Sequence, residues 1–250
     1  MRDAPLAAAP RRTGDEIRIP GDYQHRARTS GFVVQRYWHY EKERMIRRFA
    51  QPVPGERVLD VGCGSGVITN LLAELGATAT GVDGSADAIA YARETFQRPN
   101  LQFVHGLVDE LDFPDASFDR VYCFELIEHL YAGQGRDLLR KCRDLTRPGG
   151  MLALTTPNYR GVWPAIEWLM DTLRLAPTLA EAQHVAKYTR SSLAVLLSDV
   201  GWRIQHLTTF STVAPFMSVL GWRVADAVAE VEESITLPFG SILFAVARAE

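Results

Sequence analysis

With 250 residues the chain is long enough for one domain with a sizeable core. Hydrophobic residues make up 47% and charged residues 23%, an ordinary globular balance. No stretch approaches the length of a membrane span, which argues against a bilayer-crossing helix. The formal net charge is −3, with eleven Lys/Arg against six acids in the first fifty residues and sixteen against twenty-four thereafter. A nucleic-acid-binding protein would carry a dominant basic footprint across its body, and this body is acidic. Cys63, Cys123 and Cys142 are odd in number and are not spaced as metal-type pairs. Reduced, partly buried thiols in a cytoplasmic protein are expected.

In chain order, residues 1–20 are rich in Ala, Pro and Arg and read as a disordered tail ahead of a single domain over 21–250. Ala4–Pro10 is too short and proline-broken for a signal peptide. Phe32–Phe49 has the apolar spacing of an amphipathic helix. Strands are then predicted at Arg57–Val61, Ala79–Asp83, Leu101–His105, Phe118–Phe124 and Gly150–Thr155. The helices between them are Val67–Leu75, stopped by Gly76, Ala86–Thr95, capped by Ser85, and a stretch around Gly135–Leu145. Beyond them lie an apolar segment Gly161–Pro177 and a Ser-capped helix Ser191–Asp199. The last elements are a strand Trp202–Thr208, a helix Pro215–Val231 and a strand Ser241–Ala247. This alternation implies an α/β fold, Rossmann-like and doubly wound, with a mostly parallel seven-stranded sheet and helices on both faces. Residues 159–190 form an apolar lid insert in this reading.

The most specific stretch is Val58–Gly66, VLDVGCGSG, followed seventeen positions later by Asp83 in TGVDGS. A strand enters a glycine-rich turn, a helix follows, and the next strand ends in an acid placed to accept from ribose hydroxyls. The pattern departs from a dinucleotide site, because Asp60 precedes the loop and no third glycine opens the helix for close packing. A pyrophosphate gains nothing from a carboxylate there, whereas a cofactor with a cationic amino-acid end does. S-adenosylmethionine (SAM) fits that description; a nicotinamide cofactor is the alternative.

These two motifs, with RVYCFE (Arg120–Glu125) and TRPGG (Thr146–Gly150), resemble the class I SAM-dependent methyltransferases. The resemblance implies that Asp60, Gly62, Gly64 and Gly66 surround the methionine part of SAM. It also implies that Asp83, beside Gly84, holds the ribose and that Leu107 and Val108 flank the adenine; Phe124, at the end of the fourth strand, is a further cofactor-binding candidate. Many relatives carry an acid at the position of Leu107, and this chain does not.

After the fourth strand the chain reads Glu125-Leu-Ile-Glu128-His129. If a helix begins there, the three polar residues share one face with no basic partner, and a divalent cation between them would relieve the repulsion. His184, in QHVAKYTRSSL, is a candidate fourth ligand. The constellation resembles the catechol O-methyltransferases of ubiquinone biosynthesis and the plant-type 2′-O-methyltransferases that cap small-RNA ends. Size, and the Thr155–Asn158 turn leading into an apolar insert, favour the former. The resemblance implies a metal held by Glu125, Glu128, His129 and His184, drawn from Mg, Mn, Fe, Co or Zn, gripping two adjacent hydroxyls of the acceptor. His129 or His184 acting as a metal-free general base, or a merely acidic helix start, are the alternatives at this point. The expected reaction is O-methylation of a small-molecule catechol or vicinal diol, lipid-tailed acceptors included. RNA 2′-O-methylation, a catalytically silent SAM-binding scaffold and a dehydrogenase stand behind it. The expected partner is the small-molecule acceptor; nucleic acid is not expected. Peripheral membrane contact and a homodimer are left open.

Overall fold

The computed structural model describes residues 19–173, 183–235 and 237–250. Seven strands form one sheet: β1 Arg57–Val61, β2 Thr78–Asp83, β3 Leu101–His105, β4 Phe118–Phe124, β5 Thr146–Pro157, β6 Trp202–Phe210 and β7 Ile242–Ala249. Their order across the sheet is β3-β2-β1-β4-β5-β7-β6, and β7 is antiparallel to both its neighbours. This is the Rossmann-like, mostly parallel arrangement that the alternation implies. The order reverses between β1 and β4, and in open parallel sheets the crevice at that switch point is where ligands bind.

The sheet is buried on both faces, as parallel strands with helical crossovers must be. Leu59 and Val61 of β1 and Val121 and Cys123 of β4 pack with helices α5 (Ala132–Leu145) and α7 (Arg190–Asp199) through Leu139, Cys142, Leu193 and Leu197. Val58, Tyr122 and Phe124 face the other way, towards α3 (Val67–Glu74) and the end of α2 (Val33–Met45) through Leu71, Leu72, Met45 and Ile46. Period-two alternation along β1 and β4 thus builds two core layers from the same strands. Helix α4 (Ala86–Thr95) packs Ile89 and Ala92 on Phe103 of β3. All three cysteines are buried and free. Among the described residues no helix is long and apolar enough to cross a membrane.

The departures from the sequence reading are local. A short helix α1 (Tyr23–Thr29) precedes α2; Asp22 stands at its N-cap but makes no side-chain cap hydrogen bond. Residues 1–18 of the expected tail, and 174–182 of the expected insert with Leu175 and Pro177, lie outside the described residues. What precedes them is helix α6 (Trp163–Leu173). Helix α7 is capped by Thr189, not by a serine: its side chain accepts from the Ser192 N–H, and the Ser192 hydroxyl answers at the Thr189 N–H. The expected helix Pro215–Val231 is split into α8 (Ala214–Met217), a 3₁₀ turn Ser218–Leu220 and α9 (Trp222–Ile235). Gly221, at φ 121°, makes the break, since a side chain there would be strained. Nor does a helix begin at Glu125. Only a 3₁₀ turn Ile127–His129 follows β4, and Glu125 itself sits at φ 51°.

Burial of acids along α2 has a consequence for stability. Burial, opposed by the Ser211 hydroxyl and assisted by Glu232, pushes the Glu41 carboxyl up to about 8. A folded-state value above the ordinary one means stability present in full below the usual carboxylate range and lost as pH climbs through 8. Glu41→Gln is therefore expected to leave the melting temperature unchanged at pH 5 and to raise it by several degrees at pH 8.5, measured by thermal denaturation.

Candidate functional site

The carboxyl ends of β1, β2 and β4 open into a cleft of about 210 Å³, walled by Gly62, Gly64, Asp83, Gly84, Leu107 and Asp109 among others. The glycine loop is held from both sides. Asp83 accepts from the Gly64 N–H at 2.8 Å with one carboxylate oxygen and from the Ser85 N–H at 2.8 Å with the other. From outside, α1 lays Gln24 and His25 on the loop: Ser65 N–H donates to Gln24 at 3.1 Å, and His25 N–H donates to the Ser65 hydroxyl at 3.0 Å. Gly64 lies at φ 49°, where a side chain is strained, and a Cβ there would come within 2.4 Å of the Gln24 amide and displace it from the loop.

Asp60 and Phe124 line a smaller hollow of about 80 Å³ behind the loop, with Gln24, Arg28 and Lys42. Asp60 is 2% exposed and receives the Thr69 hydroxyl at 2.7 Å. Burial, opposed by that hydroxyl and reinforced by Asp83, lifts its carboxyl to about 7. An ammonium group entering the hollow would restore the charge that desolvation disfavours.

A second cavity, about 340 Å³, adjoins the cleft and shares Ile19, Gln24, Glu125 and His129 with it. Its walls are mainly apolar, with Phe32, Trp38, Trp163, Ile166, Leu169 and Phe216, and its polar groups include Glu125, Glu128, His129 and His184. There the structure brings together Glu128, His129 and His184, one donor atom from each lying within 4.8 Å of the others. Glu128 is 1% exposed, its carboxyl raised to about 8 by burial and by Glu125. It receives the Thr156 hydroxyl at 2.9 Å, and its main-chain oxygen accepts from the Val185 and Ala186 N–H groups at 2.9 and 3.0 Å. Those two bonds tie the residues just after His184 to the turn that carries His129.

Both imidazoles are anchored through Nδ1. That of His129 lies 3.1 Å from the Gln183 carbonyl oxygen, which can only accept, so this nitrogen carries a proton. Nδ1 of His184 lies 2.7 Å from the Glu167 carboxylate. Burial, against the pull of Glu167, holds His184 below its ordinary value.

Placement of the remaining sequence-derived candidates is mixed. Leu107 reaches the cleft, but Val108 turns into the core and Asp109 lines the wall in its place. Gly66 stands at the N-cap of α3 and faces Phe103 and Ala92, where a Cβ would collide; a third glycine does open the helix for close packing, against the sequence expectation. Glu125 stands at the junction of the two cavities but outside the Glu128/His129/His184 group, and its carboxylate pairs with the Lys42 ammonium. The expectation of three acids and imidazoles with no basic partner therefore fails at Glu125. The cause is the left-handed backbone there, which turns the side chain away from the face it would share on a helix. Glu167, Tyr159, Lys42 and Gln24 escaped the sequence reading. Glu167 alone carried a signal, as one of only two acids in the apolar run WPAIEWLMDTL.

Residues 58–150 match the family profile described as a methyltransferase domain. The chain carries a methyltransferase domain. With the sheet order above, that domain has the class I, Rossmann-like form. A protein of Mycolicibacterium smegmatis named as an S-adenosylmethionine-dependent methyltransferase is 34% identical over 70% of this chain and 63% of its own length. The ubiquinone biosynthesis O-methyltransferase of Albidiferax ferrireducens is 39% identical over 43% of each chain. This chain thus spans less than two thirds of the curated relatives it matches. A SAM-dependent methyltransferase structure from Archaeoglobus fulgidus superposes with a TM-score of 0.63, covering 90% of this chain and 98% of the other at 20% identity, a likeness of fold.

Because Asp83 fixes the glycine loop through two backbone bonds, Asp83→Ala is expected to weaken SAM binding at least about tenfold in calorimetry, the scale of one lost charge-assisted hydrogen bond. Glu128→Gln, in the neighbouring cavity, should bind SAM as the parent does.

Proposed function

We propose that this protein methylates a hydroxyl of a small acceptor bearing two adjacent hydroxyls, with SAM as donor and a divalent cation at Glu128, His129 and His184. The observation that carries the reading is the meeting of the SAM-type cleft with an apolar cavity at a buried carboxylate and two imidazoles. The donor set suits a cation: Glu128 is desolvated with no Lys or Arg bridging it among the described residues, and both rings are anchored at Nδ1. Two imidazoles and a carboxylate fit Mn²⁺, Fe²⁺, Co²⁺ or Zn²⁺ more closely than Mg²⁺. The partial matches to ubiquinone biosynthesis O-methyltransferases support the same chemistry.

When bound, SAM supplies a methyl already activated by the sulfonium charge, and the cation favours the ionised form of the acceptor hydroxyl. The protein's own part is positional. Asp83 and the glycine loop, with Asp60 behind it, fix the donor. The apolar walls from α2, α6 and α8 exclude water and hold the body of the acceptor, so that its hydroxyl meets the donor at the shared edge by Glu125 and His129. Orientation of this kind can contribute about 7–11 kcal/mol in favourable cases.

The acceptor's charge is constrained too. Lys42 is the one Lys or Arg among the described residues lining the larger cavity, and Glu125 engages it. An uncharged acceptor with an apolar substituent suits these walls, since a carboxylate would be buried without a partner. RNA gains no support, because Arg28 beside the loop is likewise engaged, by Glu43 at 2.5 Å.

A metal-free variant of the reaction draws on the pairing of Glu167 with His184: the hydroxyl proton would pass to Nε2 of His184 while Nδ1 stays with Glu167. Chelation separates the two. With a 4-alkylcatechol as acceptor, exhaustive EDTA treatment is expected to abolish turnover and Mn²⁺ to restore it, while full activity after chelation establishes the metal-free route. Glu128→Gln should lose Mn²⁺-stimulated turnover by more than about a hundredfold, the upper part of the range seen when metal sites are disturbed. A carboxylated catechol should be turned over more slowly than the alkylcatechol, read as kcat/KM.

A further inference from the structure

Helix α6 carries Trp163, Ile166, Glu167 and Met170 at i, i+3, i+4 and i+7, the spacing of one helical face. Three of the four wall the apolar cavity. The fourth is a carboxylic acid at 6% exposure, and its surroundings are specific. One oxygen of Glu167 lies 2.7 Å from Nδ1 of His184 and 2.8 Å from the Tyr159 hydroxyl, and that hydroxyl is 3.0 Å from the same Nδ1. His184 is itself 5% exposed. No Lys or Arg bridges Glu167 among the described residues; its recorded salt-bridge partner is the imidazole. A carboxylate taken this far out of water is costly unless hydrogen-bond donors meet it. Here the two donors that can do so are a tyrosine hydroxyl and an imidazole N–H.

We propose that Glu167 is a positioning residue: it holds the proton of His184 on Nδ1, so that Nε2 keeps the lone pair that faces the chemistry, and Tyr159 fixes the carboxylate in that task. Two groups meet one carboxylate oxygen, the arrangement expected when Nδ1 is the protonated nitrogen and Tyr159 donates to the same carboxylate. Carboxylate–imidazole pairs of this kind set the tautomer and ring orientation of metal-bound and general-base histidines alike. The consequence for α6 is that a helix whose neighbouring positions hold the acceptor's apolar body also sets the state of His184. This assignment rests on His184 acting in the proposed reaction, but its tautomer can be read without any reaction.

The test uses the full chain, ¹⁵N-labelled and stripped of metal, at pH 7. Long-range ¹H–¹⁵N correlation reports the tautomer of each ring, with the His184 signals assigned by their disappearance in His184→Gln. The expected result is a neutral Nδ1–H ring in the parent protein and an Nε2–H or mixed ring in Glu167→Ala. Mn²⁺ affinity, measured by calorimetry, should fall about 10–100-fold in Glu167→Ala with SAM affinity unchanged. Should Glu167→Ala fail to fold, Glu167→Gln and Tyr159→Phe serve instead. The amide keeps an oxygen for Nδ1–H and should hold the tautomer, while Tyr159→Phe should loosen it in part. An imidazolium or an Nε2–H ring in the parent overturns the proposal, as does an unaltered tautomer in Glu167→Ala. A parent that shows the expected tautomer yet binds no Mn²⁺ upholds the role of Glu167 and removes only the metal from the proposed reaction.

Discussion

Two carboxylates, Asp60 and Glu128, are held almost wholly out of water at the ends of β1 and β4, and among the described residues no Lys or Arg bridges either one. Each is met instead by a threonine hydroxyl, Thr69 for the first and Thr156 for the second. Desolvating a charge in this way costs several kcal/mol after relaxation, and although a main-chain hydrogen bond assists each hydroxyl, both carboxyls are pushed up, to about 7 and about 8. The site is thus folded short of positive charge at two points some seventy residues apart in the chain. One point lies behind the glycine loop, where a cationic amino-acid end would sit. The other lies in the apolar cavity, among imidazole nitrogens. The rest of the functional architecture follows from these two deficits.

The sheet supplies only half of what surrounds them. Asp60 rides on β1, whose backbone is fixed by parallel pairing with β2 and β4, and Glu128 and His129 on the turn after β4. The facing half comes from α1, α2 and α6, which lie outside the alternating core. Gln24 reaches the loop from α1, Lys42 reaches Glu125 from α2, and Glu167 reaches His184 from α6. The Lys42–Glu125 pair is informative in this respect. It stands where cleft and cavity meet, and it holds Glu125 in a left-handed conformation that costs a non-glycine residue roughly 1–3 kcal/mol. Glu125 thus stands outside the Glu128/His129/His184 group, although its charge still raises the Glu128 carboxyl.

What the amino-acid sequence settled by itself was the alternation of strands and helices, the glycine loop with its flanking acids, and the identity of Glu128 and His129 as neighbours. Each of these is carried by short-range pattern: a period of two along β1 and β4, glycines at fixed offsets, and two polar residues side by side at a strand's end. The same reasoning failed where it assumed that a short-range pattern continues. It ran a helix through Gly221 and began another at Glu125, although a single left-handed residue ended each. It also missed α1, whose reason to be helical is its contact with the loop.

Only the tertiary structure decided the partners. Lys42 lies 83 positions from Glu125, and Glu167 lies 17 from His184. No periodicity links such pairs, because their meeting depends on how α2 and α6 pack across the sheet. An acid within an apolar helix shows in the sequence as an anomaly, and its partner shows only once the chain is folded. Burial, and with it the charge state of Asp60, Glu128 and His184, is likewise a property of the packed molecule, since every one of these side chains would be fully hydrated in the unfolded chain.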